Sequence, residues 1–263
     1  MRIKRIRLKS LKNTRDLGGI TTADGKRIRQ CLLIRSGHLA TASYEDIDIL
    51  VNKYSLSHVI DLRTDAEIKE KPEILPDFIE KHFLPLLDNG FLGIARDEYS
   101  IRSWFNIFEN TDRDPVEVFC DMYDMLVFSE RSKVFVREFF DILLNSNGSV
   151  LWHCSAGKDR VGIMTMLLLL ALGVDKETII KDYMATRYFT AGSIIYTCFF
   201  GSFIYRTKRL RRCLAVLMDV REVYLERIFD KISSEYKSTE DFFYAQYGIS
   251  ESELNLLRKK YLL

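Results

Sequence analysis

Little in this sequence would divide it. Only 4 of its 263 residues are proline and 13 are glycine, so no Pro/Gly-rich linker marks a boundary, and it has no internal repeat or low-complexity tract. Length alone leaves one large α/β domain and two small ones both open. There is no C-x-x-C pair. The five cysteines (Cys31, Cys120, Cys154, Cys198 and Cys213) are odd in number and widely spaced. That argues against a disulfide framework or a metal site and for a reducing compartment. The opening MRIKRIRLKS has no apolar signal core. The longest apolar run, 161–172, is too short to span a bilayer and suits a buried helix. A net charge of +2 is too small to imply nucleic acid. The expectation is a soluble, cytoplasmic protein without cofactor, its oligomeric state open.

What is present is ordinary core material, 47% hydrophobic and 29% charged. Residues 3–8 interleave apolar and basic residues like an edge strand. NTRDLGG (13–19) is turn chemistry. Helical spacing covers about 43–53, 116–144, 161–172, 176–186 and 214–232. Two closing helices follow at 239–247 and after the capping box Ser250-x-x-Glu253. HVIDLR (58–63) and SVLWHC (149–154) read as buried strands, and 84–115 as an irregular region with short helices. Strands separated by helices predict an α/β fold, a mostly parallel central sheet flanked by helices.

The informative stretch is SVLWHCSAGKDRVGI (149–163). It sets Cys154 at the C-terminal tip of a strand, where such sheets bind ligands. The loop from Ser155 through Ala156, Gly157 and Lys158 then opens a helix, whose first amides and dipole favour an anion. Gly157 permits a tight turn, and Arg160 offers a fork that matches two phosphate oxygens. The same field stabilises a thiolate. A thiolate facing a phosphate monoester is placed for in-line attack, giving a phosphocysteine that water hydrolyses. His153 is better suited to tuning the thiol than to acting as a base. The bland alternative is a buried cysteine used as a small hydrophobe.

HCSAGKDR resembles the H-C-x-A-G-K-D-R signature of bacterial atypical protein tyrosine phosphatases, also described as triple-specificity phosphatases. NTRDLGG, RSGHL (35–39), IDLRTDAE (60–67) and the C-terminal YGISESELNLLRKKYL are similar to further motifs of that family. The resemblance spans nearly the whole chain and implies one catalytic domain over 1–263 with a cysteine-phosphatase fold. It implies Cys154 as nucleophile, Arg160 as phosphate clamp, Lys158 as a phosphoinositide contact and Asp159 as donor to the leaving group. Phosphotyrosine, phosphoserine/threonine and phosphoinositides are the implied substrates. It also implies a helical lid at about 189–212, whose RTKRLRR run would draw acidic substrates or lipid head groups at a membrane surface. A solvated helix face is the alternative there.

Asp61 and Asp114 compete with Asp159 for the acid role, in the order Asp159, Asp61, Asp114. Arg63 and Glu67, four apart, are expected to pair with each other. Asn13, Arg15 and Asp16 read as scaffold under the site. Val161 stands where the family usually has Thr or Ser, removing a hydroxyl that could help the sulfur leave. Other readings are a phytase-like inositol polyphosphate phosphatase and a non-catalytic phosphate-binding module. Arsenate-reductase-like chemistry would want a resolving cysteine, and no spacing offers one.

Overall fold

Strand residues alternate between two apolar faces, and that pattern sets the architecture. The computed structural model of the chain describes residues 4–87, 112–204 and 207–263, with side chains left undescribed at 193, 194 and 196–204. Most of the irregular segment expected at 84–115 lies outside the described residues. Among the described residues six strands form one sheet: β1 (Lys4–Arg5), β2 (Arg15–Asp16), β3 (Leu33–Ser36), β4 (Leu56–Asp61), β5 (Glu80–Phe83) and β6 (Ser149–His153), in the order β1-β2-β3-β6-β4-β5. β3, β6, β4 and β5 run parallel, while β1 and β2 join antiparallel at one end.

In β6, Val150 and Trp152 face one cluster and Leu151 the other, all buried on a central strand. β4 divides Ile60 from Val59 in the same way, and β3 divides Leu33 from Ile34. Strands buried on both faces are what a parallel sheet covered by helices requires. The smaller face is covered by α1 (Tyr44–Asp48), which runs on through a wide turn at Ile49–Lys53. After β4 comes the short α2 (Asp65–Glu70).

The larger face holds the remaining helices: α3 (Pro115–Phe128), α4 (Glu130–Asn145), α5 (Asp159–Ala171), α6 (Lys176–Ile204), α7 (Lys208–Met218), α8 (Glu222–Glu235), α9 (Thr239–Tyr247) and α10 (Glu251–Tyr261). α5 is apolar all round because it lies inside this cluster, and Trp152 Nε1 donates to its Thr165 Oγ1 at 3.1 Å. Among the described residues no helix is long and apolar enough to cross a membrane.

Three helical expectations need adjustment. The region 116–144 is two helices, because the Ser129 hydroxyl caps α4 while its own backbone leaves the helical conformation. The region 214–232 is likewise split at Asp219–Arg221. α6, expected to stop near 186, continues to Ile204 and takes in the first part of the segment read as a lid. It contains no proline, and a lone glycine such as Gly192 costs a helix only about 1 kcal/mol.

Candidate active site

Three parallel strands end together. Ser36 and Asp61 both pair with His153, so β3, β6 and β4 finish in one row, and Cys154 is the next residue beyond it. The loop after Cys154 is shaped from behind. Asn13 Nδ2 donates to the carbonyls of Ala156 (3.2 Å) and Gly157 (2.8 Å), Arg35 donates to Gly157 O at 3.0 Å, and His38 N donates to Ser155 O at 3.3 Å. With the carbonyls drawn toward the scaffold, the loop amides turn to the opposite side. Gly157 has φ +67°, and a Cβ there would stand 2.5 Å from Ser36 O, so both conformation and space exclude a side chain. The Lys158 side chain at the N-cap of α5 makes no capping hydrogen bond, which leaves the first helical amides for a ligand.

Above the loop is a pocket of about 510 Å³ lined by Cys154, Ser155, Ala156, Lys158, Asp159 and Arg160. Ser10, Lys12, His38 and Thr41 give one polar wall, and Leu87, Phe119, Met122, Leu217 and Met218 an apolar one. Arg160 is aimed by Glu67, whose carboxylate takes Nη1 at 2.6 Å and Nη2 at 2.8 Å and also accepts from Ser155 Oγ. Burial would favour neutral forms. The paired charges outweigh it, raising Arg160 and lowering Glu67 to about 2.

A buried cysteine, a five-residue loop and an arginine aimed at the same pocket are the frame in which the comparisons stand. A sequence profile of the tyrosine phosphatase family matches residues 6–263. The chain belongs to the tyrosine phosphatase family. It is 32% identical over 180 residues to a Cupriavidus necator protein carrying a provisional tyrosine-protein phosphatase name, covering 68% of this chain and 61% of that one. It is 26% identical over 189 residues to the triple specificity protein phosphatase PtpB of Mycobacterium tuberculosis, covering 66% of each. A tyrosine-protein phosphatase of Nostoc commune is 41% identical over 58 residues, 22% of this chain and 20% of that one.

In this tyrosine phosphatase family member the other expected residues are spread over two shells. Lys158 lines the pocket, yet its ammonium donates to Leu217 O at the end of α7 and to Asp219 O at 3.4 Å. Asp159 also lines the pocket, with Oδ2 3.5 Å from Lys158 Nζ and Oδ1 accepting from Tyr123 at 2.6 Å. Val161 is fully buried and brings no hydroxyl.

Asp61, Arg63, His153 and Arg15 lie behind the site. Arg63 pairs with Asp61 (2.8 Å) and Glu73 (3.1 Å), which corrects the expected Arg63–Glu67 pair. The i,i+4 spacing misleads because Thr64 caps α2, so Arg63 precedes the helix and Glu67 sits at its third position. His153 is fully buried with Nε2 3.2 Å from Glu73 and Nδ1 3.8 Å from Asp61, and among the described residues neither nitrogen has a well-formed hydrogen bond. Arg15 binds Asp182 (Nε–Oδ1 2.9 Å), Asn13 and Thr186. Arg35 shares Asp182 at 2.7 Å. Burial works against the Asp182 charge, but the two guanidiniums hold its carboxyl below the usual range. Asp114 caps α3, accepting from Val116 N at 2.8 Å, and pairs with Arg212.

Asp182 as the shared anchor and Tyr123 as the partner of Asp159 carry no signal in the sequence, and Glu67 shows there only as a neighbour of Arg63, since each acts across 36 residues or more. Among the described residues two groups bring metal-binding side chains together. In Asp61–Glu73–His153 the Arg63 guanidinium already neutralises both carboxylates. In His58–Glu80–His82 the Asn147 N–H donates to His58 Nε2 at 3.3 Å. His58 Nδ1 therefore carries the proton and faces His82 Nε2 at 3.2 Å, a hydrogen-bonded pair.

Proposed function

We propose that this chain is a cysteine-dependent phosphoric monoester hydrolase of the protein-tyrosine-phosphatase type. The observation that carries the reading is the convergence of Cys154, the loop amides and a Glu67-aimed Arg160 on one pocket. Arg160 and the amides would hold the non-bridging oxygens of a phosphate monoester while the Cys154 sulfur attacks phosphorus in line. Asp159, on the pocket wall, would give its proton to the leaving oxygen as the P–O bond breaks. The carboxylate so formed would then take a proton from the water that attacks phosphorus and releases the thiolate. Asp61 is less suited to the acid role because Arg63 occupies both of its oxygens.

The apolar wall of the pocket suits a phosphotyrosine ring, and the name of the Mycobacterium relative supports testing phosphoserine/threonine as well. Phosphoinositide turnover would require Lys158 to exchange its α7 carbonyls for the head group. Thr190 reaches the pocket from the segment read as a lid at about 189–212, and Leu217 and Met218 reach it from the end of α7 just beyond that segment. Val161 favours a slow second step: it supplies no hydroxyl, and Ser155 Oγ is committed to Glu67.

Phosphate release from phosphotyrosine and phosphoserine peptides and from phosphoinositides, with wild type beside Cys154→Ser, tests the reading. We expect turnover on phosphotyrosine that vanishes in the variant. A single stoichiometric burst would place the limit in phosphocysteine hydrolysis. Peptide binding without any release would make the chain a phosphate-binding module.

A further inference from the structure

One oxygen of the Asp159 carboxylate is already committed. Tyr123 Oη, on α3, donates to Asp159 Oδ1 at 2.6 Å, and the same Tyr123 oxygen lies 2.5 Å from Tyr183 Oη on α6. A phenol has a single proton. Tyr123 spends its proton on the carboxylate, so the second contact runs from Tyr183 O–H to the Tyr123 oxygen. The donors therefore point one way, from α6 through α3 to Asp159. Both phenols are buried; burial first, then the Asp159 charge, pushes each well above its ordinary range, and both keep their protons at any working pH.

The fold makes room for this arrangement at a second place. Gly162 follows Asp159 by three residues on α5, and a Cβ there would stand 2.9 Å from Tyr183 Cε2 and 3.0 Å from Cδ2. The absent side chain lets the Tyr183 ring lie against the α5 backbone, where it meets the Tyr123 ring edge-on with centroids 6.2 Å apart. Tyr224 on α8 backs Tyr123 at 4.8 Å. The titratable and charged groups around Asp159 are thus Cys154, Lys158 and Arg160 from its own loop, Tyr123 from α3, Tyr183 from α6 and Tyr224 from α8, with Asp219 and Arg221 beyond Tyr224.

We propose that Tyr123 and Tyr183 are positioning residues for Asp159, fixing its Oδ1 so that Oδ2 is the oxygen that exchanges a proton, and setting the pH at which it does so. This rests on the reading of Asp159 as the acid. The tyrosine protons do not transfer. Oδ2–H gives its proton to the leaving oxygen in the first step, and Oδ2 takes one from water in the second. A hydrogen bond donated to a carboxylate favours its ionised form over the protonated one. Removing the donor shifts that balance upward by about one to two pH units, the scale of a hydrogen bond to a charged group.

The test is kcat/KM against pH on an aryl phosphate for wild type, Tyr123→Phe, Tyr183→Phe and Asp159→Asn, each checked for folding by circular dichroism. Asp159→Asn is expected to abolish the basic limb. Tyr123→Phe should move that limb up by about one to two pH units, and Tyr183→Phe should move it the same way by less. A purely structural role would lower the whole profile without displacing it. If Asp159→Asn abolishes the limb while neither phenylalanine variant moves it, the positioning role is refuted and the acid stands. If Asp159→Asn keeps the limb, the acid assignment falls and this proposal with it. Should Tyr123→Phe fail to fold, Tyr183→Phe decides alone, since among the described residues its hydroxyl hydrogen-bonds only Tyr123.

Discussion

Replacing Glu67 by Gln leaves the shape of the Arg160 clamp almost intact and removes only its charge. Glu67 is largely buried and lowered from 4.5 to about 2. Desolvation opposes its charge, but Arg160, Ser155 and the Thr64 amide together overcome the burial cost. A folded-state value below the unfolded one gives stability that is present in full above about 4.5 and is lost as the pH falls toward 2. The difference corresponds to about 3 kcal/mol near neutral pH and only about 1.5 kcal/mol at pH ~3. Glu67→Gln should therefore lower Tm by roughly 6–12 °C at neutral pH, on the usual scaling for a domain of this size. The gap to wild type should close by about half at pH ~3. Thermal or urea unfolding of both proteins at the two pH values measures it. A gap of equal size at both would refute the reasoning, because the lost interaction would then not be ionic.

Two further outcomes follow from the support behind the loop. Asp182→Asn leaves Arg15 and Arg35 facing one another without their shared carboxylate, and should destabilise the chain by about 3–5 kcal/mol in urea unfolding. Gly157→Ala would press a methyl onto Ser36 O at a positive φ. It should cut kcat/KM on an aryl phosphate by at least about 100-fold through displacement of the loop, while costing only about 1–3 kcal/mol of stability.

The local signals in the sequence carried far. The capping box at Ser250 and Glu253 opens α10 where expected, Tyr247 closes α9, and β6 ends one residue before Cys154. These are decided by neighbours within a few positions, which a sequence displays directly. Glu67 was visible but assigned to the wrong arginine, because its spacing from Arg63 looked helical while Thr64 starts the helix between them. Asp182, seven residues into a 29-residue helix, is marked by nothing in its local sequence. Its partners Arg15 and Arg35 are 167 and 147 positions away, and only the folded sheet brings them together. Tyr123 and Tyr183 were hidden in the same way: an aromatic at helical spacing reads as core, and both are core apart from one hydroxyl each.

The support of the loop by Asn13, Arg15 and Arg35 also has a temporal side. The segment 154–160 contains the proposed chemistry, yet its carbonyls are held by residues made near the start of the chain, with the Asn13 and Arg35 bonds to Gly157 spanning 144 and 122 positions. Those arginines in turn wait for Asp182, which leaves the ribosome after the loop itself. A nascent chain thus carries Cys154 and Arg160 before Asp182 is available to neutralise the arginines behind their loop. A chain arrested before residue 182 would therefore hold both residues of the proposed chemistry in a loop whose supporting arginines lack their shared carboxylate.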